Sequence, residues 1–82
     1  MFHIYGTDDC PYCLNAKAFL MQKGKPFIFY DLTYSGKEHI QITKDKFLVK
    51  TIPIIIFENE TNDIFIGGFE ELKKFFLWNP FA

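Results

Sequence analysis

The only two cysteines of this 82-residue chain form the run Cys10-Pro11-Tyr12-Cys13. They fall where a strand-like run, Phe2-His3-Ile4-Tyr5, gives way to a helical pattern, and that junction constrains the fold more than any other feature. A thiol at a helix start meets unpaired backbone N–H groups and the positive end of the helix dipole, both of which favour a thiolate. Pro11 suits the first helical position, because the donor it lacks would have no partner there. Cys10 is therefore expected as the exposed, reactive sulfur and Cys13, one turn on, as the covered one. A disulfide between them closes too small a loop to add much stability, so the pair is suited to being oxidised and reduced. Three other readings compete. Structural zinc needs four ligands, and the only other soft candidates, His3 and His39, stand singly, so no metal site is assigned. An iron–sulfur cluster would need thiolates from a second chain or a bound thiol. An inert buried pair is the third.

A chain of this length makes one small domain, 1–82, able to bury only about 60–65% of its unfolded surface. Eleven phenylalanines can fill so small a core. The net charge of −1 gives no electrostatic footprint for nucleic acid, so no nucleic-acid partner is expected. All nine basic residues are lysines, so bidentate guanidinium clamps on carboxylate or phosphate are absent. No apolar run is long enough to cross a membrane, and Met1-Phe2-His3 has no charged leader, so a cytoplasmic protein without membrane association is expected.

In chain order, the first helix is expected from Pro11 to about Lys23, ending at Gly24. Cys13, Ala16 and Leu20 share one face, with Leu14, Ala18 and Met21 beside them, a wide apolar surface suited to lying on a sheet. Phe27 to Asp31 reads as a buried strand, completing a parallel βαβ unit. Ser35-Gly36-Lys37-Glu38 has a capping-box pattern and starts a second helix running to about Phe47. The lysine-rich stretch from Lys37 to Lys50 is either a solvated face or a mild basic patch for a ligand carboxylate. Pro53 opens the strand Ile54–Phe57, a turn follows at Asn59–Asn62, and Asp63–Ile66 returns as a hairpin partner. Gly67-Gly68 then precedes a helix with Phe69, Leu72 and Phe76 on one face. The two glycines are either a tight connection or backbone left bare for a ligand. Trp78 and Phe81 either seal the core edge or stay exposed.

Cys10-Pro11-Tyr12-Cys13, Thr51-Ile52-Pro53 and Gly67-Gly68-Phe69, in this order and spacing, resemble the motifs of a glutaredoxin. The resemblance covers essentially the whole chain. More narrowly, Met1-Phe2, Tyr5-Gly6, Asn15-Ala16-Lys17 and Gly67-Gly68-Phe69 are similar to the small glutaredoxins of T-even-type bacteriophages. It implies an α/β thioredoxin-like fold, a four-stranded mixed sheet flanked by three helices in the order βαβαββα, with a cis peptide at Ile52-Pro53 beside Cys10.

The resemblance also implies a dithiol–disulfide oxidoreductase with no bound cofactor and with glutathione as co-substrate. Cys10 would be the nucleophile carrying the mixed disulfide, and Cys13 the resolving thiol. Tyr12 would flank the tripeptide, and the Ile52 backbone, within Thr51-Ile52-Pro53, would pair with its cysteinyl part. Gly68 and the N–H groups after it, from Phe69 through Glu70 and Glu71, would face its γ-glutamyl carboxylate. Two departures bear on glutathione: Thr7, followed by Asp8 and Asp9, stands where many relatives carry a basic residue, and Glu70 and Glu71 stand where many carry a hydroxyl residue and then Asp. Glu70 would repel a substrate carboxylate, whereas Glu71 could attract its amino group. Disulfide-bearing or glutathionylated proteins are the expected partners of a monomer, ribonucleotide reductase among them if the phage likeness holds. The alternative is a module sharing an iron–sulfur cluster between two chains, against which Pro11 argues by stiffening the turn at Cys10. A partner-binding subunit that merely uses this fold is a further alternative.

Overall fold

A computed structural model describes residues 1–32, 45 and 52–80. The elements are β1 (Phe2–Gly6), α1 (Pro11–Gln22), β2 (Phe27–Asp31), β3 (Ile54–Glu58), β4 (Asp63–Gly67) and α2 (Phe69–Trp78). The strands form one mixed sheet in the order β2-β1-β3-β4. β1 runs parallel to β2 and antiparallel to β3, and β3 runs antiparallel to β4. The expected second helix, up to about Phe47, lies outside the described residues apart from Asp45, as does the lysine-rich stretch to Lys50. Two helices are thus described in full.

Sequence chemistry accounts for the element ends. Cys10 is the N-cap of α1 with extended dihedrals, and Pro11 follows it at the first helical position. At the other end Gly24 N–H donates to the Met21 carbonyl and Lys25 N–H to that of Leu20, a two-bond closure of the last turn. The β3–β4 turn is held by Asn59, whose Oδ1 accepts from Thr61 N–H, Thr61 Oγ1 and Asn62 N–H at 2.9–3.0 Å. Ile55 faces Gly67 and Ile56 faces Phe65, so Ile66 is an extra residue that bulges β4 just before α2.

Side chains alternate across β1. Phe2 and Ile4 point into a core shared with Ala16 and Leu20 of α1, Ile55 of β3, and Leu72 and Phe76 of α2. Both helices therefore cover one face of the sheet. Phe2 is the hub, with ring centroids 4.7 Å from Phe57, 5.5 Å from Phe76 and 6.1 Å from Phe75. His3 and Tyr5 point to the opposite face. There Tyr5 stacks on Tyr30 at 4.5 Å, and the His3 ring bridges the Tyr30 hydroxyl and Glu58 Oε1.

Two sequence expectations are corrected. Leu14, Ala18 and Met21 are exposed, so the buried stripe of α1 narrows to Cys13, Ala16 and Leu20. One helix face meets the sheet and α2 packs beside it, which leaves the flanks of α1 to solvent. β2 is an edge strand rather than a buried one, with Ile28 exposed and Phe27 and Phe29 half-buried. Trp78 stands exposed at the end of α2, and Phe81 lies outside the described residues.

Because Phe2 touches both its cross-strand neighbour and α2, Phe2→Ala is expected to cost about 3–5 kcal/mol of unfolding free energy. Urea denaturation of the two proteins measures it. A loss below about 1 kcal/mol would show that the aromatic hub contributes little.

Candidate active site

The end of β1 delivers the chain into the turn at Thr7–Asp9, and Cys10 N–H donates back to the Thr7 carbonyl at 3.4 Å. The first helical bond, Leu14 N–H to the Cys10 carbonyl at 3.1 Å, sets the axis of α1 over the strand it has just left. One turn into the helix, Cys13 is wholly buried, whereas Cys10 is half-buried at the rim. Both are free thiols.

Burial of Cys13 requires a glycine beneath it. A Cβ at Gly6 would collide with Cys13 Sγ, lie 3.3 Å from Cys13 Cβ and meet the Phe29 ring at 3.6 Å. Burial also pushes the Cys13 thiol up to about 12, the largest influence being loss of hydration. A hydrogen bond from the Thr7 backbone and the nearby Lys17 charge pull the other way, and the neighbouring Cys10 adds to the rise.

Cys10 faces a second segment. Its Sγ–H points to the Ile52 carbonyl at 3.9 Å, and the Ile52-Pro53 peptide that follows is cis, as the family resemblance implies. Cys10 makes no side-chain cap bond to the helix N–H groups, so the expected direct stabilisation by those groups is not realised here. A protonated thiol is a donor and turns to a carbonyl, while a thiolate can only accept.

The remaining residues divide. Tyr12 is more than half exposed, and Pro53 is buried. A Cβ added at Gly68, the N-cap of α2, would lie 3.8 Å from the Pro53 carbonyl oxygen, which brings the second helix start to the same rim. Gly67 has φ +117°, a left-handed backbone that glycine alone takes readily, and a Cβ there would press on Glu71 at 3.1–3.2 Å. The glycine pair is thus a tight connection at Gly67, with bare backbone at Gly68. Glu71 folds back so that Oε1 accepts from Gly68 N–H at 3.2 Å, and Glu70 pairs with Lys73 at 3.1 Å on the outer face of α2. The Phe69 ring belongs to the core flank, edge-on to Phe19 at 6.1 Å with Lys73 Nζ 4.9 Å above it. Thr51 lies outside the described residues.

In the sequence Asp8 stands out only as part of the acidic pair before Cys10 that departs from the family pattern. Its carboxyl hydrogen-bonds that of Asp31 and is raised above the ordinary range, first by that bond and then by the Asp31 charge. Lys17 Nζ stands 3.9 Å from Asp8 Oδ1. The sequence marks Lys17 only within Asn15-Ala16-Lys17 and Asp31 only as a strand end, neither with a role at the site. The available signal was the four-residue step from Cys13 to Lys17 on one helix face, and the pairing of Gly6 with Asp31. Among the described residues no three His, Cys, Asp or Glu side chains are grouped to hold a metal ion.

Comparison with known proteins settles the family. The glutaredoxin family model matches residues 3–61, across the dithiol, the cis proline and both central strands. The chain belongs to the glutaredoxin family. Glutaredoxin 1 from Francisella tularensis, solved in complex with cacodylate, is 26% identical over 89% of this chain and 87% of its own, with a TM-score of 0.69. The glutaredoxin of Brucella melitensis is 28% identical over 98% of this chain and 79% of its own, with a TM-score of 0.70. Glutaredoxin grx-1 of Archaeoglobus fulgidus, at 20% identity, 89% and 82% coverage and a TM-score of 0.60, shares the fold. No curated protein sequence matches. As a glutaredoxin with the thioredoxin-like fold, the chain is a dithiol–disulfide oxidoreductase.

The raised Cys13 thiol carries a pH signature. In the unfolded chain this thiol ionises near 9.0, and in the folded reduced protein only near 12. Its contribution to stability is therefore fully present below about pH 9 and is lost as pH rises towards 12. Chemical denaturation of reduced protein from pH 7 to 10.5 should show stability falling more steeply in the parent than in Cys13→Ala. Parallel slopes would mean that Cys13 ionises as readily folded as unfolded.

Proposed function

We propose that this glutaredoxin is a glutathione-linked reductase of protein disulfides and glutathione mixed disulfides. The observation that carries the reading is the inequality of the two sulfurs, Cys10 reachable at the rim and Cys13 wholly buried one turn below. Cys10 as thiolate attacks the glutathione sulfur of a mixed disulfide, forming Cys10–S–S–glutathione, and the protein thiolate leaves with the bonding pair and is protonated. A second glutathione thiolate then attacks the bound glutathione sulfur, releasing oxidised glutathione and restoring Cys10. With a protein disulfide the adduct is Cys10–S–S–protein. Cys13, deprotonated, attacks Cys10, expels the second protein thiol and leaves a Cys10–Cys13 disulfide for glutathione to reduce.

The substrate groove of this reading is formed by Tyr12, Ile52, Pro53 and Gly68, with Thr51 adjoining in sequence. The Ile52 backbone offers strand-like pairing to an extended peptide. The Gly68 N–H is held by Glu71, so a substrate carboxylate must displace that side chain, whereas a substrate ammonium would find it attractive. Phe69 and Glu70 contribute through the placement of α2 rather than by contact. We place the protein in the cytoplasm as a monomer working on disulfide-bearing proteins. The likeness of Met1-Phe2, Tyr5-Gly6 and Asn15-Ala16-Lys17 to the phage glutaredoxins supports ribonucleotide reductase as one recipient.

Cys10→Ser should abolish turnover of both substrate classes. Cys13→Ser should keep removal of glutathione from a small mixed disulfide, with glutathione as reductant, and lose most reduction of a protein disulfide. Full protein-disulfide reduction by Cys13→Ser would contradict the resolving role. A parent enzyme that thioredoxin reductase recycles but glutathione does not would contradict the glutathione linkage.

A further inference from the structure

Resolution by Cys13 asks a wholly buried thiol to lose its proton, and among the described residues a charged cluster that the steps above leave unused lies close to that event. Lys17 stands one turn beyond Cys13 on the same face of α1, its side chain only 25% exposed. Its Nζ lies 4.2 Å from the Phe29 ring centroid and 3.9 Å from Asp8 Oδ1. The same Phe29 ring reaches to 3.6 Å of the point above Gly6 that Cys13 Sγ crowds. Asp31, opposite Gly6 in the parallel register, hydrogen-bonds Asp8. Ammonium, carboxyl pair and buried thiol thus share one small volume at the ends of β1 and β2.

The geometry points to Lys17 as the positioning residue of the resolving step, its ammonium stabilising the Cys13 thiolate while the Asp8–Asp31 pair holds and partly offsets that charge. The ammonium is fixed from below by the Phe29 face and from the side by Asp8, so it acts with little reorganisation. In the step itself Cys13 gives its proton to solvent base, and the thiolate attacks the Cys10 sulfur. The bond from Cys10 to the substrate sulfur breaks, and the substrate leaves as thiolate with the electron pair. One disulfide replaces another, so no further oxidant enters.

Among the described residues, the charged and titratable groups at this end of the sheet can be named. Cys10 is the N-cap of α1 and Lys17 lies within it, Asp8 and Asp9 belong to the turn before it, and Asp31 to β2. At the start of α2, Glu71 is tied to Gly68 N–H. Lys17 lowers the Cys13 ionisation against the rise that burial imposes. The partnership is not visible from Asp8 alone, because its shift is dominated by Asp31, with Lys17 and Asp9 as smaller influences of opposite sign.

The inference rests on the resolving role proposed for Cys13, and one experiment separates the two. Reduced full-length protein is mixed in stopped flow with an aromatic disulfide reagent at a series of pH values. A first equivalent of aryl thiolate reports attack by Cys10, and a second reports closure by Cys13. Lys17→Met should raise the pH midpoint of the second phase by about one unit. It should slow that phase only about three-fold at neutral pH, because a more basic thiolate is also a better nucleophile. Lys17→Arg should restore both. Asp8→Asn, an exposed substitution, should move the midpoint down instead, by freeing the ammonium from its counter-charge. A second phase indifferent to Lys17→Met, an Arg variant that behaves like Met, or an Asp8→Asn shift in the upward direction would each overturn the inference. A parent protein with no second phase would overturn the resolving role, and this inference with it.

Discussion

The first turn of α1 is pressed against the last residue of β1, and the space for Cys13 exists only because Gly6 carries no side chain. That contact fixes where the helix begins and which thiol is reachable. A helix placed further from the strand would leave Cys13 hydrated and make the two sulfurs alike. Pressed down, it buries Cys13 completely and leaves Cys10 at the N-cap, aimed at the Ile52 carbonyl. The aromatic core supports this arrangement from beneath, since Ala16 and Leu20, one and two turns on, pack with Ile4 and Phe2.

The polar groups at the rim are largely engaged with one another. Glu71 occupies the first N–H of α2, Glu70 is held by Lys73, and Asp8 is shared between Asp31 and Lys17. A helix start with its own carboxylate bound to it has part of its attraction for an incoming anion already satisfied. The site therefore relies on backbone pairing at Ile52 and on the sulfur chemistry itself more than on a charged clamp. The absence of arginine from the whole chain is in keeping with this.

Most of the fold was legible because local signals agreed with one another. Pro11 after Cys10, the aromatic and β-branched runs, Gly24 and the Asn59 turn each mark an element end by simple backbone chemistry, and the structure follows them. Register and layer order were less accessible. Nothing in Phe27–Asp31 says that it lies at a sheet edge, and the apolar Leu14 and Met21 overstate how much of α1 is covered. At the site, the dithiol and cis proline motifs were readable as patterns. The Lys17–Asp8–Asp31 cluster was not, because Asp31 joins it only through the pairing of β2 with β1. Phe69 shows the converse: a motif residue whose ring serves the core flank rather than the groove.

Packing makes the two thiols unequal. Native, fully reduced protein treated with iodoacetamide at neutral pH, quenched over time and mapped by peptide mass, tests it most directly. Alkylation is expected at Cys10, with Cys13 unmodified until denaturant is added. Comparable rates at the two cysteines, or modification of Cys13 first, would contradict it.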